Sequence, residues 1–558
     1  MEKVLSQSKD MTREYCATVV QIGDLTPIEN SDFLATVMVE GLEIVVRKDM
    51  VKTGSYMIYV ANECQIDSLF LSANNQYSDI TYNSNYQDVY PHLERMRKQG
   101  ATEEEIQAYL ILNKGYFGKN GRVRMKKIRG VVSQGFLISP YQMGEYEEDL
   151  EGFDWAAHLG EDFDMVGERQ FVKPYIPEVK GRNGGAKKGR HEKQIKKYDR
   201  MIAGQFAFHY DTEPLQRSME RIKPNTSVTI TVKEHGSSAI FGNVKVHKPK
   251  YGGLYEKLFV YLPKFLQFTI EEYDVIYSSR SVIKNQNMIA VFYQKVYAWW
   301  DHITRTLRSM FKKKKNKNPD VPEPTFWEKF KSLFRFKYGP DKSGGFYGVD
   351  IWETYYKILK DFIPKGMTFY GEICGYVTNS TSGIQSLGGK VYDYGCKTGD
   401  NRLMIYRIKH VTEEGEVFEL NVQDVHDYTI NTLIPAIEER DKENGTNYAE
   451  KIKPITILYN GLMKDLYPDL DIANHWQENV LARMKKDKNF GMEENEPMCK
   501  NILPREGIVL RINDDPLAEA FKLKCLKFLG KEAEDMDKGI TSDLEMQERY
   551  SEQSENEE

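Results

Sequence analysis

Short β-branched runs set off by turn residues recur along this chain, and they restrict it to folds assembled from several small sheets. Residues 16–22 (Cys16, Ala17, Thr18, Val19, Val20, Gln21, Ile22) and 42–46 (Leu42, Glu43, Ile44, Val45, Val46) are two such runs. Residues 55–60 follow Lys52, Thr53 and Gly54 as a third. Runs of this composition between glycine and polar turn residues read as strands. Clustered near the N-terminus, they predict a small β-barrel module over residues 1–145, interrupted by a helical pattern across residues 91–112. Near its end, Arg122, Val123, Arg124, Met125, Lys126, Lys127, Ile128 and Arg129 mix basic and apolar side chains, alternating at first. A period of two would set a cationic row on one face of a sheet. Lys126, Lys127 and Arg129 are therefore candidate RNA contacts, and a solvated edge strand is the alternative.

At 558 residues the chain exceeds what one hydrophobic core supports, which implies two to four domains. A glycine-rich basic stretch at residues 180–190 marks a linker, assigned here to residues 146–199. A second domain spans residues 200–530 and carries most of the strand signals. Two segments in it read as insertions. Residues 288–345 interleave lysines with aromatics, as stacking plus phosphate contact would require, although a solvated face has the same composition. Residues 411–500 contain a helical pattern around Trp476. Residues 531–558 form an acidic tail that reads as disordered.

Charge and cysteine usage exclude some classes. A net charge of −6 does not make the whole molecule a polyanion binder. The six cysteines form no C-x-x-C pair, so a zinc ribbon is not indicated, and their scatter reads as reduced thiols. No apolar run approaches the length of a membrane span, so no membrane contact is expected and the cytoplasm is the expected compartment.

The chemistry centres on Lys233. Residues 228–232 (Val228, Thr229, Ile230, Thr231, Val232) form a β-branched run, Lys233 follows directly, and Gly236 permits a sharp turn before residues 237–241 return as a strand. A lysine fixed at a strand end can be a nucleophile if its neighbours hold it partly deprotonated. Downstream, Arg280 ends a strand, Glu372 and Tyr406 sit within two others, and Glu506 and Gly507 precede another. Lys522 and Lys524 stand at i, i+2 and so share a strand face. Three lysines together are expected to depress one another's pKa.

These residues together resemble the six ordered motifs of the covalent nucleotidyltransferase superfamily, which includes ATP-dependent ligases and capping enzymes. The match covers about residues 225–530. The sequence Lys233-Glu234-His235-Gly236 is similar to the RNA ligases that mend nicks in duplex RNA. In the first domain, residues 27–32, 45–48 and 128–135 resemble the OB-fold domain of the Deinococcus-type RNA ligase family. The implied fold class is α+β. An N-terminal OB-like β-barrel would precede an antiparallel-sheet adenylyltransferase (ligase) domain, unrelated to ATP-grasp, with helical insertions.

The resemblance also implies roles. Lys233 would attack the α-phosphate of ATP, Arg280 would contact phosphate, Glu372 would bind the ribose and Tyr406 would stack on adenine. His235 and Gly236 belong to the same nucleotide site. Glu506 would be the carboxylate for Mg2+ (or Mn2+), and Lys522 and Lys524 would hold the α-phosphate. The implied activity is ATP-dependent joining of RNA 3′-hydroxyl and 5′-phosphate ends, on a nicked duplex, through lysyl-adenylate and RNA-adenylate intermediates. A DNA ligase, a GTP-dependent capping guanylyltransferase and a non-catalytic RNA-binding protein are the alternatives. Val232 departs from the pattern, because RNA ligases commonly carry an acidic residue immediately before the lysine.

Overall fold

The computed structural model describes residues 4–29, 31–176, 197–208, 212–280, 282–285, 287–289, 347, 349–412, 415–513, 515 and 519–540. Residues 180–190, all but the start of the predicted 288–345 insertion, and most of the acidic tail lie outside them.

The N-terminal module is built on antiparallel strands. Phe136–Ile138, Tyr56–Val60, Ala17–Gln21 and Asp162–Phe163 form one sheet in that order. Thr26–Pro27, Leu34–Val39 and Leu42–Arg47 form another. Val19, Ile44, Ile58, Phe70 and Phe171 meet in their common core, each with 2% exposure or less. The pairing of Asp162–Phe163 with Ala17–Gln21, and of Val172–Pro174 with Cys64–Ile66, carries the module past residue 145 into the segment expected to be linker. The helical pattern appears as Tyr86–Lys98 and Glu103–Asn113, the second opened by a capping box between Thr102 and Glu105.

The expected cationic row does not form. The Arg122 guanidinium is buried on Glu63 at 2.6 Å and Asp537 at 2.8 Å, and the strand itself covers only Lys126–Ile128. It turns back through Arg129 and Gly130, both at positive φ, onto Val131–Ser133.

The second domain faces two sheets toward each other. One has the order Glu213–Pro214, Ala520–Lys524, Gly507–Ile512, Ser227–Lys233, Ile457–Leu462. The other runs Thr269–Ser278, Ser237–Pro249, Met367–Gly375, Asn401–Val411, Val417–Glu419, with Ile452–Pro454 parallel to Asn401–Val411. Alternation decides what each face holds. In the first sheet Val228, Ile230, Ile508, Leu510, Phe521 and Leu523 pack into a core with Trp476 and Phe528. Their alternates, among them Thr231, Val509, Lys522 and Lys524, point to the other side. In the second sheet Phe241, Phe369, Leu403 and Ile405 pack against the helix Ile351–Leu359. Trp352 of that helix donates its Nε1–H to the Ser238 carbonyl at 2.9 Å, and burying such a ring contributes about 2–3 kcal/mol.

Residues 411–500, expected as an insertion, supply strands to both sheets as well as the helix Trp476–Met484. No helix among the described residues is long and apolar enough to cross a membrane.

The two domains are pinned by buried polar contacts. Arg217, 3% exposed, reaches into the N-terminal module. It donates to Asp162 at 2.8 Å and Glu40 at 3.3 Å, and also to Thr18 and to the Arg13 carbonyl. Lys485, after the Trp476–Met484 helix, donates to the carbonyl of Gly41.

Candidate active site

The chain crosses from one sheet to the other at Glu234, His235 and Gly236, rather than folding back as a hairpin. Lys233, the last residue of its strand, lies opposite Gly507. Ser238, just into the next strand, lies opposite Glu372. Gly236 is needed for close approach rather than for a left-handed turn. A Cβ there would stand 2.5 Å from the Ile373 carbonyl and 2.7 Å from Glu372 Cγ. Gly507 is tighter still, since a Cβ would meet the Leu523 carbonyl oxygen at 2.1 Å. Both glycines thus let the strands bearing the functional side chains close on each other.

Between the sheets is a cavity of about 360 Å³. Lys233, His235, Gly236, Arg280, Glu372, Tyr406, Glu506, Lys522 and Lys524 all line it, although they come from six separate stretches of sequence. Tyr406 owes its position to a bulge. Tyr370 pairs with Arg407 and Gly371 with Ile405, so Tyr406 is the extra residue and turns inward beside Arg407. Lys126, Lys127 and Arg129 are not in the cavity. Lys127 and Arg129 are exposed, and Lys126 lies over the Tyr116 ring at 3.9 Å.

Glu506 is the electrostatic centre. It is 3% exposed, with Lys233 Nζ 2.8 Å and Lys524 Nζ 3.9 Å from Oε1 and His235 Nδ1 3.3 Å from Oε2. Burial alone would raise its pKa, but Lys233, His235 and Lys524 outweigh burial and hold it far below the usual carboxylate range. Lys233 answers in the opposite sense to the three-lysine expectation. Burial and Lys524 press its pKa down, but the Glu506 carboxylate, helped by Glu372, raises it above the ordinary lysine value. An opposite charge at 2.8 Å outweighs a like charge farther off. Lys522 does follow the expectation. Burial, Lys524 and Lys233 lower it more than its partner Glu14 raises it.

His235 is held by its backbone and both ring faces. Its amide donates to the Tyr394 hydroxyl at 2.6 Å, and its imidazole meets Tyr392 and Phe528 edge-on at about 5 Å. Behind it, Glu234 is buried with neither carboxylate oxygen hydrogen-bonded, and burial, then Glu496, pushes its pKa well up. A neutral carboxylic acid is the form that environment favours.

Several lining residues lay outside the sequence reading. Residues 8, 10–12, 14 and 15, between the strands Leu5–Ser6 and Ala17–Gln21, line the cavity, and Glu14 is ion-paired with Lys522. No motif marks them, because their role depends on how the domains dock. Arg511 was legible in principle, since it alternates in step with Gly507 and Val509.

A family model described as an OB-fold domain matches residues 16–99, which fall in the N-terminal module. With the facing antiparallel sheets, this makes the chain an α+β protein with an N-terminal OB fold. No curated protein matches the sequence. Solved structures similar to the chain include a variant of the Naegleria gruberi RNA ligase with ATP and Mn, at 14% identity and a TM-score of 0.42, covering 92% of this chain and 98% of that one. Another variant with AMP and Mn has 16% identity and a TM-score of 0.43, covering 93% and 99%. The same ligase with PPi has 15% identity and a TM-score of 0.42, covering 94% and 100%. Likeness at these scores carries no argument about the chemistry of the cavity.

Proposed function

We propose that the chain is an ATP-dependent RNA ligase that joins a 3′-hydroxyl to a 5′-phosphate through a nucleotidyl-lysine at Lys233. One observation carries this reading: a single cavity gathers Lys233, Arg280, Glu372, Tyr406, Glu506, Lys522 and Lys524 from distant parts of the chain. Phosphoryl transfer asks mainly for alignment and for cations where charge develops, and that is what these residues supply.

In the first step Lys233 Nζ bonds to the α-phosphorus of ATP, the bond to the bridging oxygen breaks, and pyrophosphate leaves. Lys233 must shed a proton before it attacks, and the Glu506 carboxylate 2.8 Å away holds that proton on the amine until the nucleotide enters. Lys522 and Lys524 neutralise the non-bridging α-phosphate oxygens. Tyr406 stacks on the base and Glu372 binds the ribose. In the second step the RNA 5′-phosphate oxygen takes the adenylyl group, breaking the Lys233–phosphorus bond. In the third the 3′-hydroxyl attacks the phosphorus of the RNA 5′-phosphate, the bond from that phosphorus to the oxygen bridging it to the adenylyl group breaks, and AMP leaves.

A divalent ion fits the carboxylate present. Glu506 is buried and ionised, and its Oε2 faces His235 Nδ1 at 3.3 Å. No cluster of three or more His, Cys, Asp or Glu able to hold a metal occurs among the described residues. Mg2+ or Mn2+ would be held by Glu506 together with the nucleotide's phosphates. Bound there, the ion would supply charge neutralisation at the phosphates.

The preference for RNA rests on His235, which matches the nick-sealing RNA ligases where other superfamily branches carry aspartate. We place the activity on nicked RNA duplexes in the cytoplasm. Incubation with labelled ATP and Mg2+ should give a covalent adenylate that Lys233→Ala abolishes, and a panel of RNA, DNA and mixed nicks should show preferential RNA sealing. Folded protein that takes no label from ATP would overturn the reading.

A further inference from the structure

Beyond Tyr406, three cations gather on one carboxylate. Arg407 Nε lies 2.6 Å from Glu419 Oε1, Lys409 Nζ lies 3.6 Å from Oε2, and Arg511 Nη2 pairs with Oε1. Arg511 is 6% exposed and lines both the main cavity and a small recess. Its Nη1 donates to the Tyr406 carbonyl at 3.2 Å, while its Nε has no hydrogen-bond partner. A buried N–H without an acceptor costs free energy, and a guanidinium can only donate. Burial, then the like charge of Arg407, holds the Arg511 pKa down to about 10 against the opposing pull of Glu419.

Register says which part of a nucleotide meets this group. Lys233 pairs with Gly507, Thr231 with Val509 and Thr229 with Arg511. Arg511 thus stands four residues along from the nucleophile, about 13 Å away at the usual rise of a strand. A nucleotide with its α-phosphorus at Lys233 and its ring between Tyr406 and Val509 turns the edge of its base toward Arg511. Val232, 1% exposed, offers no side-chain acceptor for a 6-amino group. Arginine pairs with the O6 and N7 acceptors of a 6-oxo purine, whereas adenine's corresponding edge asks for one acceptor and one donor.

We infer that Arg511 reads the base edge, and that the pocket admits 6-oxo purine nucleoside triphosphates, GTP and ITP, alongside ATP. This rests on the nucleotidyl-transfer reading of the cavity. The full chain is incubated with Mg2+ and α-labelled ATP, GTP, ITP or CTP, and label on Lys233 is followed in the wild type and in Arg511→Met. ITP, which carries a 6-oxo group and an N1 proton where ATP has a 6-amino group and a bare N1, should label the wild type within about tenfold of ATP. Arg511→Met should lower the ITP-to-ATP ratio at least tenfold. ATP labelling with ITP more than a hundredfold weaker would overturn the inference, and so would an Arg511→Met protein with an unchanged ratio. The wild-type arm decides alone if Arg511→Met does not fold. Failure of every nucleotide to label Lys233 would instead overturn the ligase reading.

Discussion

Glu14 of the N-terminal module and Lys522 of the second domain are ion-paired inside the cavity between the sheets. The lysine assigned to the α-phosphate therefore already holds an anion, and a nucleotide must displace it. Glu14→Gln should lower the ATP concentration for half-maximal lysine adenylation by about three- to tenfold, which is about 0.6–1.4 kcal/mol of competing ion pair. Adenylation rate against ATP concentration measures this, and a raised half-maximal concentration would show that Glu14 helps to bind the nucleotide.

Gly507→Ala tests the closeness of the Lys233 and Lys524 strands. Its Cβ would sit 2.1 Å from the Leu523 carbonyl oxygen, a backbone atom that cannot rotate away. The strands must part, and Glu506, the adjacent residue, moves with them. Loss of adenylation by at least a hundredfold is expected, with a fall in Tm matching about 2–4 kcal/mol. Near-normal adenylation would show that the site tolerates a wider sheet.

Arg217→Ala removes the guanidinium shared by Asp162, Glu40 and Thr18 across the domain interface. Breaking a buried charge pair from one side costs about 3–5 kcal/mol. Denaturant unfolding should show the midpoint shift, and limited proteolysis should cut more readily between the domains. An unchanged midpoint would mean that the interface is held elsewhere.

Lys485 gives the interface a pH signature. Burial holds its pKa at about 8, below the ordinary lysine value, with Glu43 opposing the drop. The folded protein therefore binds fewer protons than the unfolded chain between about pH 8 and 10.4, so this residue's contribution to stability rises with pH across that window. At pH 7 the wild type bears the cost of a buried ammonium that Lys485→Met does not. The Tm difference, Lys485→Met minus wild type, should fall as pH increases from 7 to 10. A difference independent of pH would show that Lys485 titrates normally.

What the sequence discloses and what it withholds divide along physical lines. The strand bearing Lys233, and the pair Lys522 and Lys524, are legible because alternation is a local property of the backbone. The gathering of Arg280, Glu372, Tyr406 and Glu506 was reachable only through the ordered motifs, since tens of residues separate them. Even there the bulge that turns Tyr406 inward has no mark in Leu403, Met404 and Ile405. Charge states were misread where a partner was distant. Lys233 was expected to lose its proton to like charges, and Glu506 reverses the sign. Arg122 was expected in a cationic row on one sheet face or on a solvated edge strand, and Glu63 and Asp537 bury it. Residues 411–500 looked like an insertion because their strands are short and mixed with helix, yet they complete the edges of both sheets. Glu14 was invisible for the same reason as Arg217: each matters only once two domains meet.

The buried Arg217 also bears on how the molecule can be dissected. A second domain cut free at residue 200 would present that guanidinium, and the Leu481 side chain that lies against Gly41, to water. It would also leave behind the residues from 8 to 15 that wall one side of the cavity. For anyone seeking a minimal catalytic fragment, the boundary to respect is therefore the start of the N-terminal module, and the two modules are to be swapped, fused or transplanted as a single cartridge.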